Sequence, residues 1–196
     1  MASATRFRIR AICTGNICRS PAMEALLAAE LDADRGFIVE SAGTEAMTGW
    51  PADPAMVRLL HERGLDVREH RARQLDANML GIDDLILTAT YAHREWIASA
   101  DAAAARRTFT LAEFAHIVDG APASGTASDL VAWAAAHRPA AHRPARPAGR
   151  TPSTWRGGGQ GDIVDPYGRP EAVFRQSLAQ ILPLASAVAA ALNTRE

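Results

Sequence analysis

One stretch limits the folds open to this chain more than any other: the run from Phe7 to Leu27. Phe7-Arg8-Ile9-Arg10-Ala11-Ile12 is an apolar-alternating run, the pattern of a strand. Ala22-Met23-Glu24-Ala25-Leu26-Leu27 is helical in pattern, and Pro21 suits the first helical turn, where a missing N–H is harmless. Between them lies Cys13-Thr14-Gly15-Asn16-Ile17-Cys18-Arg19-Ser20, a tight loop opened by a cysteine and closed by an arginine. Gly15 and Asn16 tolerate positive φ, so the loop can curl with its backbone N–H groups pointing inward. The helix start adds partial positive charge at the same place. The expected product is a cradle for a tetrahedral oxyanion, with a thiol at its centre pushed toward thiolate.

The segments that follow extend this unit into a domain. Asp32 to Gly36 ends the first helix, Phe37-Ile38-Val39-Glu40-Ser41 reads as a second strand, and Ala42-Gly43-Thr44 as the loop leaving it. Strand, helix and strand at this spacing form a βαβ unit, so the two strands are expected to be parallel. Asp53 and Pro54 read as the cap and first residue of a helix that stops near Gly64. Arg68 to Arg73 is a polar connector, and Leu75 to Leu80 predicts a short helix. Asp84-Leu85-Ile86-Leu87-Thr88 is nearly continuously apolar, as in a buried parallel strand. Tyr91 to Ala105 predicts a helix with Trp96 and Ile97 facing in. Arg107 to Thr110 predicts a fourth strand, and Leu111 to Ile117 another short helix. Pro170 to Leu192 predicts a long amphipathic helix, kinked at Pro183 or divided there.

The fold class expected is α/β: a doubly wound, four-stranded parallel sheet with helices on both faces, flavodoxin- or Rossmann-like, as a single domain over residues 1–196. Ligands of such folds sit at the carboxyl ends of the strands, where the Cys13 loop lies. One region breaks the pattern. Residues 119–162 are rich in alanine, proline, glycine and arginine, with a near-repetitive run at 137–147 followed by Gly157-Gly158-Gly159. They predict a mobile insertion over about 120–161, with Leu130 to Ala136 forming a helical turn or two.

Bulk properties narrow the function. A formal net charge of -1 suggests no nucleic-acid surface, and no apolar run approaches the roughly 20 residues that span a bilayer. Met1 to Arg6 has no apolar signal core, so a cytoplasmic protein without membrane insertion is expected, and a monomer. Only two cysteines are present, Cys13 and Cys18. The loop they would close is too short for a useful staple, and zinc needs more ligands than the pair offers. Neither a metal nor a cofactor is expected.

Hydrolysis of a phosphate monoester by a thiol needs a nucleophile, positive groups for the phosphoryl oxygens, an acid for the leaving group, and a rigid loop. Cys13 is the nucleophile candidate. Arg19 supplies a planar fork for two oxygens, and the amides of residues 14 to 19 hold the rest. Ser20 can reach back to the Cys13 sulfur. The acid must come from elsewhere; Asp165 in Asp165-Pro166-Tyr167 reads, alone, as a turn initiator.

Four segments together carry a resemblance. Cys13 to Pro21 resembles the signature loop of the low-molecular-weight protein tyrosine phosphatases. Ser41-Ala42-Gly43-Thr44, His70-Arg71-Ala72-Arg73-Gln74-Leu75 and Asp165-Pro166-Tyr167 resemble its later motifs, in the family's order. The resemblance implies hydrolysis of phosphotyrosine in proteins through a phosphocysteine on Cys13. It implies that Arg19 binds phosphate, that Asp165 is the general acid and then base, and that Asn16, Ser20, Ser41 and His70 support the loop. It also implies that Cys18 forms a reversible disulfide with Cys13 under peroxide, and that Tyr167 walls the substrate slot, with Met47 or Trp50 opposite. The partner implied is a phosphotyrosine protein, such as a bacterial tyrosine kinase. Three features depart from the family: Gly168 stands where a second aromatic often follows, Met47 stands near an aromatic position, and the insertion before Asp165 is long.

Two other readings fit parts of this pattern. A thiol-dependent arsenate reductase shares the loop; no cysteine follows Cys18, so only a type using a small-molecule thiol is open. A non-catalytic phosphoprotein-binding module is the other, though such proteins usually lack the nucleophile or the acid, and this chain has both.

Overall fold

The computed structural model describes residues 6–139 and 161–195. Its strands are β1 (Phe7–Cys13), β2 (Phe37–Gly43), β3 (Leu85–Thr88) and β4 (Thr108–Thr110). They form one parallel sheet in the order β2-β1-β3-β4. Phe7 pairs with Phe37 and Cys13 with Gly43, so β1 and β2 end together.

Successive side chains of a strand point to opposite faces, and each face of this sheet has its own apolar cluster. Phe7, Ile9, Ala11 and Cys13 of β1 join Leu85 and Leu87 of β3 in the larger one. That cluster includes buried residues of α1 (Arg19–Glu30), α2 (Pro54–His61), α5 (Leu111–Val118) and α7 (Glu171–Asn193). Ile12, Ala42 and Ile86 face the other way, against Leu80 of α3 (Ala77–Ile82) and Ile97 of α4 (Tyr91–Ala100). The doubly wound, single-domain expectation is met, with helices on both faces. Asp53 caps α2 by accepting from the Ala55 N–H, as its place before Pro54 predicts.

The structure buries one cation and corrects three local expectations. Arg10, part of an alternating run, is 2% exposed. It donates to Asp83 from Nε at 2.7 Å and Nη2 at 2.8 Å, and to Glu40 at 3.1 Å. The buried cation is tolerated because this bidentate partner compensates it. The helix expected over 91–105 stops at Ala100, and a 3-10 turn over Ala104–Arg107 follows it. The insertion expected over 120–161 contains α6 (Ala127–Ala136), a full helix rather than a turn or two. Thr126 and Asp129 form a capping box at its start, and Ala127, Leu130, Val131 and Ala134 are buried. The stretch at 140–160 lies outside the described residues. Finally, α7 is one helix of 23 residues through Pro183, not two. Pro183 is exposed, so solvent can reach the carbonyl that it leaves without a partner.

Candidate active site

The loop between β1 and α1 has every carbonyl from residue 13 to 18 tied outward. Cys13, Thr14 and Gly15 accept from the N–H groups of Thr44, Glu45 and Met47 at 3.0, 3.1 and 3.0 Å. The Asn16 carbonyl lies 2.7 Å from His70 Nε2, Ile17 accepts from Asp53 at 2.8 Å, and Cys18 from Ala22 at 3.3 Å. In a trans peptide the N–H points opposite to the C=O. Anchoring the carbonyls outside therefore turns the intervening N–H groups into the concavity, which makes an anion nest. Asn16 takes φ 54°, a left-handed conformation that asparagine tolerates. Gly43 packs against this rim so closely that a Cβ there would lie 2.3 Å from the Thr14 carbonyl oxygen. Only glycine fits.

A directional row of hydrogen bonds ends on the thiol. Asn16 Nδ2 donates to Ser20 Oγ at 2.9 Å and to Ser41 Oγ at 2.8 Å, and Asn16 Oδ1 accepts from the Arg73 N–H at 2.8 Å. Ser41 donates onward to Glu24 Oε2 at 2.5 Å. Ser20 Oγ sits 3.0 Å from Cys13 Sγ. Asn16 occupies one of its two lone pairs, and its proton can turn to the sulfur. Both cysteines are free and buried. Burial and the nearby charges of Cys13, Asp53 and Asp165 push the Cys18 thiol well above the usual range, so the two thiols are not equivalent. Burial pulls His70 below the usual histidine range, against the opposing pull of the Asn16 carbonyl.

Arg19 is 4% exposed at the first turn of α1. Nη2 pairs with Asp165 Oδ2 at 3.0 Å and Nη1 donates to the Ile163 carbonyl at 3.4 Å. Nε is buried without a partner among the described residues, unusual for a guanidinium N–H and suited to an oxyanion. The loop bearing Asp165 is pinned from three sides. Ile163 N donates to the Ala89 carbonyl, Val164 N to Gln180 Oε1, and Tyr91 N to Asp162 Oδ1. The structure thus pairs Arg19, at the end of the Cys13 loop, with Asp165, and it links Cys13, Ser20, Asn16 and Ser41 through their side chains, with His70 on the Asn16 carbonyl.

The rim is less closely drawn in. Met47 lies over the loop: a Cβ at Gly15 would stand 3.7 Å from its Cγ. Tyr167 and Trp50 are 51% and 56% exposed. Trp50 sits on a turn, its N–H donating to the Met47 carbonyl and its carbonyl accepting from Ala72, both at 2.9 Å. A separate cleft of about 640 Å³ lies at the amino ends of β3 and β4, lined by Gly81, Arg107, Val131 and Arg138 among others, and no cradle residue lines it. No group of three or more His, Cys, Asp or Glu among the described residues is placed to hold a metal.

Two site residues were not singled out from the sequence. Glu24 lies four positions after Ser20, one helical turn along α1, which was the available signal. His93 is buried, with Nε2 2.9 Å from Thr14 Oγ1 and Nδ1 2.7 Å from Thr90 Oγ1. Burial and the charge of Arg19 push it down to about 3, so the ring is neutral. Thr90 before a helical pattern signals a cap, but nothing local in the sequence places His93 against the cradle.

Comparison with known proteins agrees with this geometry. The family model for low molecular weight phosphotyrosine protein phosphatase matches residues 8–122. Two curated proteins named as probable low molecular weight protein-tyrosine-phosphatase EpsP are similar. The one from Ralstonia nicotianae is 42% identical over 105 residues, which is 54% of this chain and 70% of that protein. The one from Ralstonia solanacearum is 47% identical over 79 residues, 40% of this chain and 52% of that protein. Among solved structures, the YwlE arginine phosphatase from Geobacillus stearothermophilus superposes with a TM-score of 0.70 at 28% identity, covering 96% of this chain and 94% of that one. The tyrosine phosphatase amsI of Erwinia amylovora superposes with a TM-score of 0.67 at 25% identity, covering 98% and 97%.

Proposed function

We propose that this chain, which belongs to the low molecular weight phosphotyrosine protein phosphatase family, hydrolyses phosphotyrosine in proteins through a phosphocysteine on Cys13. The observation that carries the reading is the pairing of Asp165 with Arg19 at 3.0 Å. It supports a carboxyl remote in sequence as the leaving-group acid at an anion cradle, whose thiol lies 3.0 Å from the Ser20 hydroxyl.

The steps follow from these positions. The phosphoryl dianion enters the nest and takes Arg19 as its counter-ion, displacing Asp165. The displaced carboxyl is then free to face the leaving oxygen as its acid. The Cys13 thiolate then attacks phosphorus. An S–P bond forms, the P–O bond to the tyrosyl ring breaks, and the Asp165 proton goes to the leaving oxygen. In the second step the Asp165 carboxylate takes a proton from water, whose oxygen attacks phosphorus. The S–P bond breaks, phosphate leaves and the thiolate is restored. The half-buried Met47 and the exposed Tyr167 and Trp50 would provide apolar surface for the aromatic ring.

The substrate protein is an exposed phosphotyrosine segment, such as one on a tyrosine kinase, met in the cytoplasm by a monomeric enzyme. Among the described residues no helix is long and apolar enough to cross a membrane. A second reading has a specific support: the arginine phosphatase that superposes over 96% of this chain. Two peptides of one sequence, carrying phosphotyrosine or phosphoarginine, separate the two. The expected kcat/KM favours phosphotyrosine by at least about 10-fold, a discrimination of ~1.4 kcal/mol. Equal or reversed values would move the chain to phosphoarginine, and an Asp165-independent reduction of arsenate with added thiol would move it to the reductase reading.

The same reading gives Cys18 a protective role. Peroxide converts the Cys13 thiolate to a sulfenic acid; the Cys18 sulfur attacks it, forming the S–S bond and releasing water. Wild type inactivated by peroxide is expected to regain most of its activity with dithiothreitol, whereas Cys18→Ser regains little. Equal recovery in the two would remove Cys18 from this role.

A further inference from the structure

We propose that His93 is a positioning residue: its imidazole ties Thr14 of the cradle to the start of α4, fixing the cradle against the loop that bears Asp165. The proposal rests on the phosphatase reading of this site and adds to it a residue outside the cradle and its supporting network. His93 is 5% exposed and touches threonines from two different elements, Thr14 at 2.9 Å and Thr90 at 2.7 Å.

The corner on which it stands is a three-way joint. Ala89 N donates to the Ile12 carbonyl at 2.8 Å, which joins the corner to the last turn of β1 before Cys13. Ile163 N donates to the Ala89 carbonyl at 2.9 Å, and Tyr91 N to Asp162 Oδ1 at 2.8 Å, which join it to the acid's loop. Residues 89 to 93 therefore hold the cradle and the acid in one frame. His93 supplies the side-chain strut of that frame.

The strut has a direction. Thr90 Oγ1 caps α4 by accepting the His93 backbone N–H, and we assign its remaining hydroxyl proton to Nδ1, 2.7 Å away. A neutral imidazole that accepts at Nδ1 donates from Nε2, here to Thr14 Oγ1. The Thr14 hydroxyl proton is then free to turn toward an oxyanion in the nest. The neutral state is secured by burial and by Arg19, the charged group that faces the ring.

Two amide side chains dissect this strut, because each copies one ring nitrogen. Glutamine reaches the place of Nε2 and can still bond Thr14. Asparagine reaches only the place of Nδ1 and bonds Thr90. His93→Gln is expected to keep kcat/KM for para-nitrophenyl phosphate, and the Kd for tungstate, within about 3-fold of wild type. His93→Asn is expected to lose about 10- to 100-fold in kcat/KM, the scale of a small misplacement of catalytic groups, and to bind tungstate more weakly. Melting temperatures of the two variants should agree within a few degrees. In a Thr14→Val background, which lacks the hydroxyl, the two should become equal. The proposal is overturned if Gln and Asn are equally active in the native background, if their gap persists with Thr14→Val, or if the loss follows melting temperature. Wild type inert toward the ester would sink the phosphatase reading, while tungstate affinities would still rank the variants and decide the role of His93.

Discussion

Replacing Cys13 by serine is expected to lower turnover of phosphotyrosine peptide by at least about 10^4-fold, the scale on which a lost nucleophile is felt. The replacement changes one atom and little volume. What it removes is an ionisable sulfur held in a nest of amides, with the Ser20 hydroxyl 3.0 Å away to stabilise its anion. The thiolate is the stronger nucleophile and forms the S–P bond, which a serine hydroxyl in its place does not do. The nest itself survives, since its shape comes from outside: Thr44, Glu45, Met47, Asp53 and His70 hold the loop carbonyls. Phosphate affinity and melting temperature should therefore stay near wild type while kcat collapses. Steady-state kinetics beside phosphate inhibition constants measure this split. Residual activity within 10-fold of wild type would remove Cys13 from the chemistry.

Asp165→Asn is expected to cost about 10^2- to 10^4-fold in kcat with phosphotyrosine, the usual worth of a general acid. In kcat/KM, which reports only the steps through phosphoryl transfer to Cys13, the loss should shrink with para-nitrophenyl phosphate, because its leaving phenolate is a weaker base and needs a proton less. Phosphate binding should hold or tighten. In the free site Asp165 occupies Arg19 at 3.0 Å, and a neutral amide competes less for that guanidinium. A structural role for Asp165 predicts a different pattern, an equal loss with both esters and weaker phosphate binding. Values of kcat/KM for the two esters, with phosphate inhibition alongside, discriminate the two.

What could be read from the sequence divides along a physical line. The strand, loop and helix around Cys13 were readable because each piece has a local cause: alternation, residues that accept positive φ, and a proline at the first turn. The Asp53 cap on α2 and the apolar run of β3 are of the same kind. Arg10 was not readable, since its burial depends on Asp83 meeting it from the corner before β3. Glu24 and His93 were missed because their partners, Ser41 and Thr14, are far away along the chain. Asp165 sits at the boundary. Its dipeptide signals a turn and nothing more, and only its order among the other motifs pointed to an acid. In α6, alanine-rich composition reduced a full helix to an expected turn or two at Leu130 to Ala136, although Thr126 and Asp129 at capping-box spacing were the cue to its start.

The central claim is a covalent phosphoryl group on the Cys13 sulfur. Asp165→Asn, mixed with para-nitrophenyl phosphate and quenched in acid within the first turnovers, lets that species accumulate, because the variant lacks the base that helps water release it. Peptide mass mapping should find one phosphoryl group on the peptide containing Cys13, and none after Cys13→Ala. A phosphoryl group on another residue, or product formed with Cys13 never modified, would contradict the account.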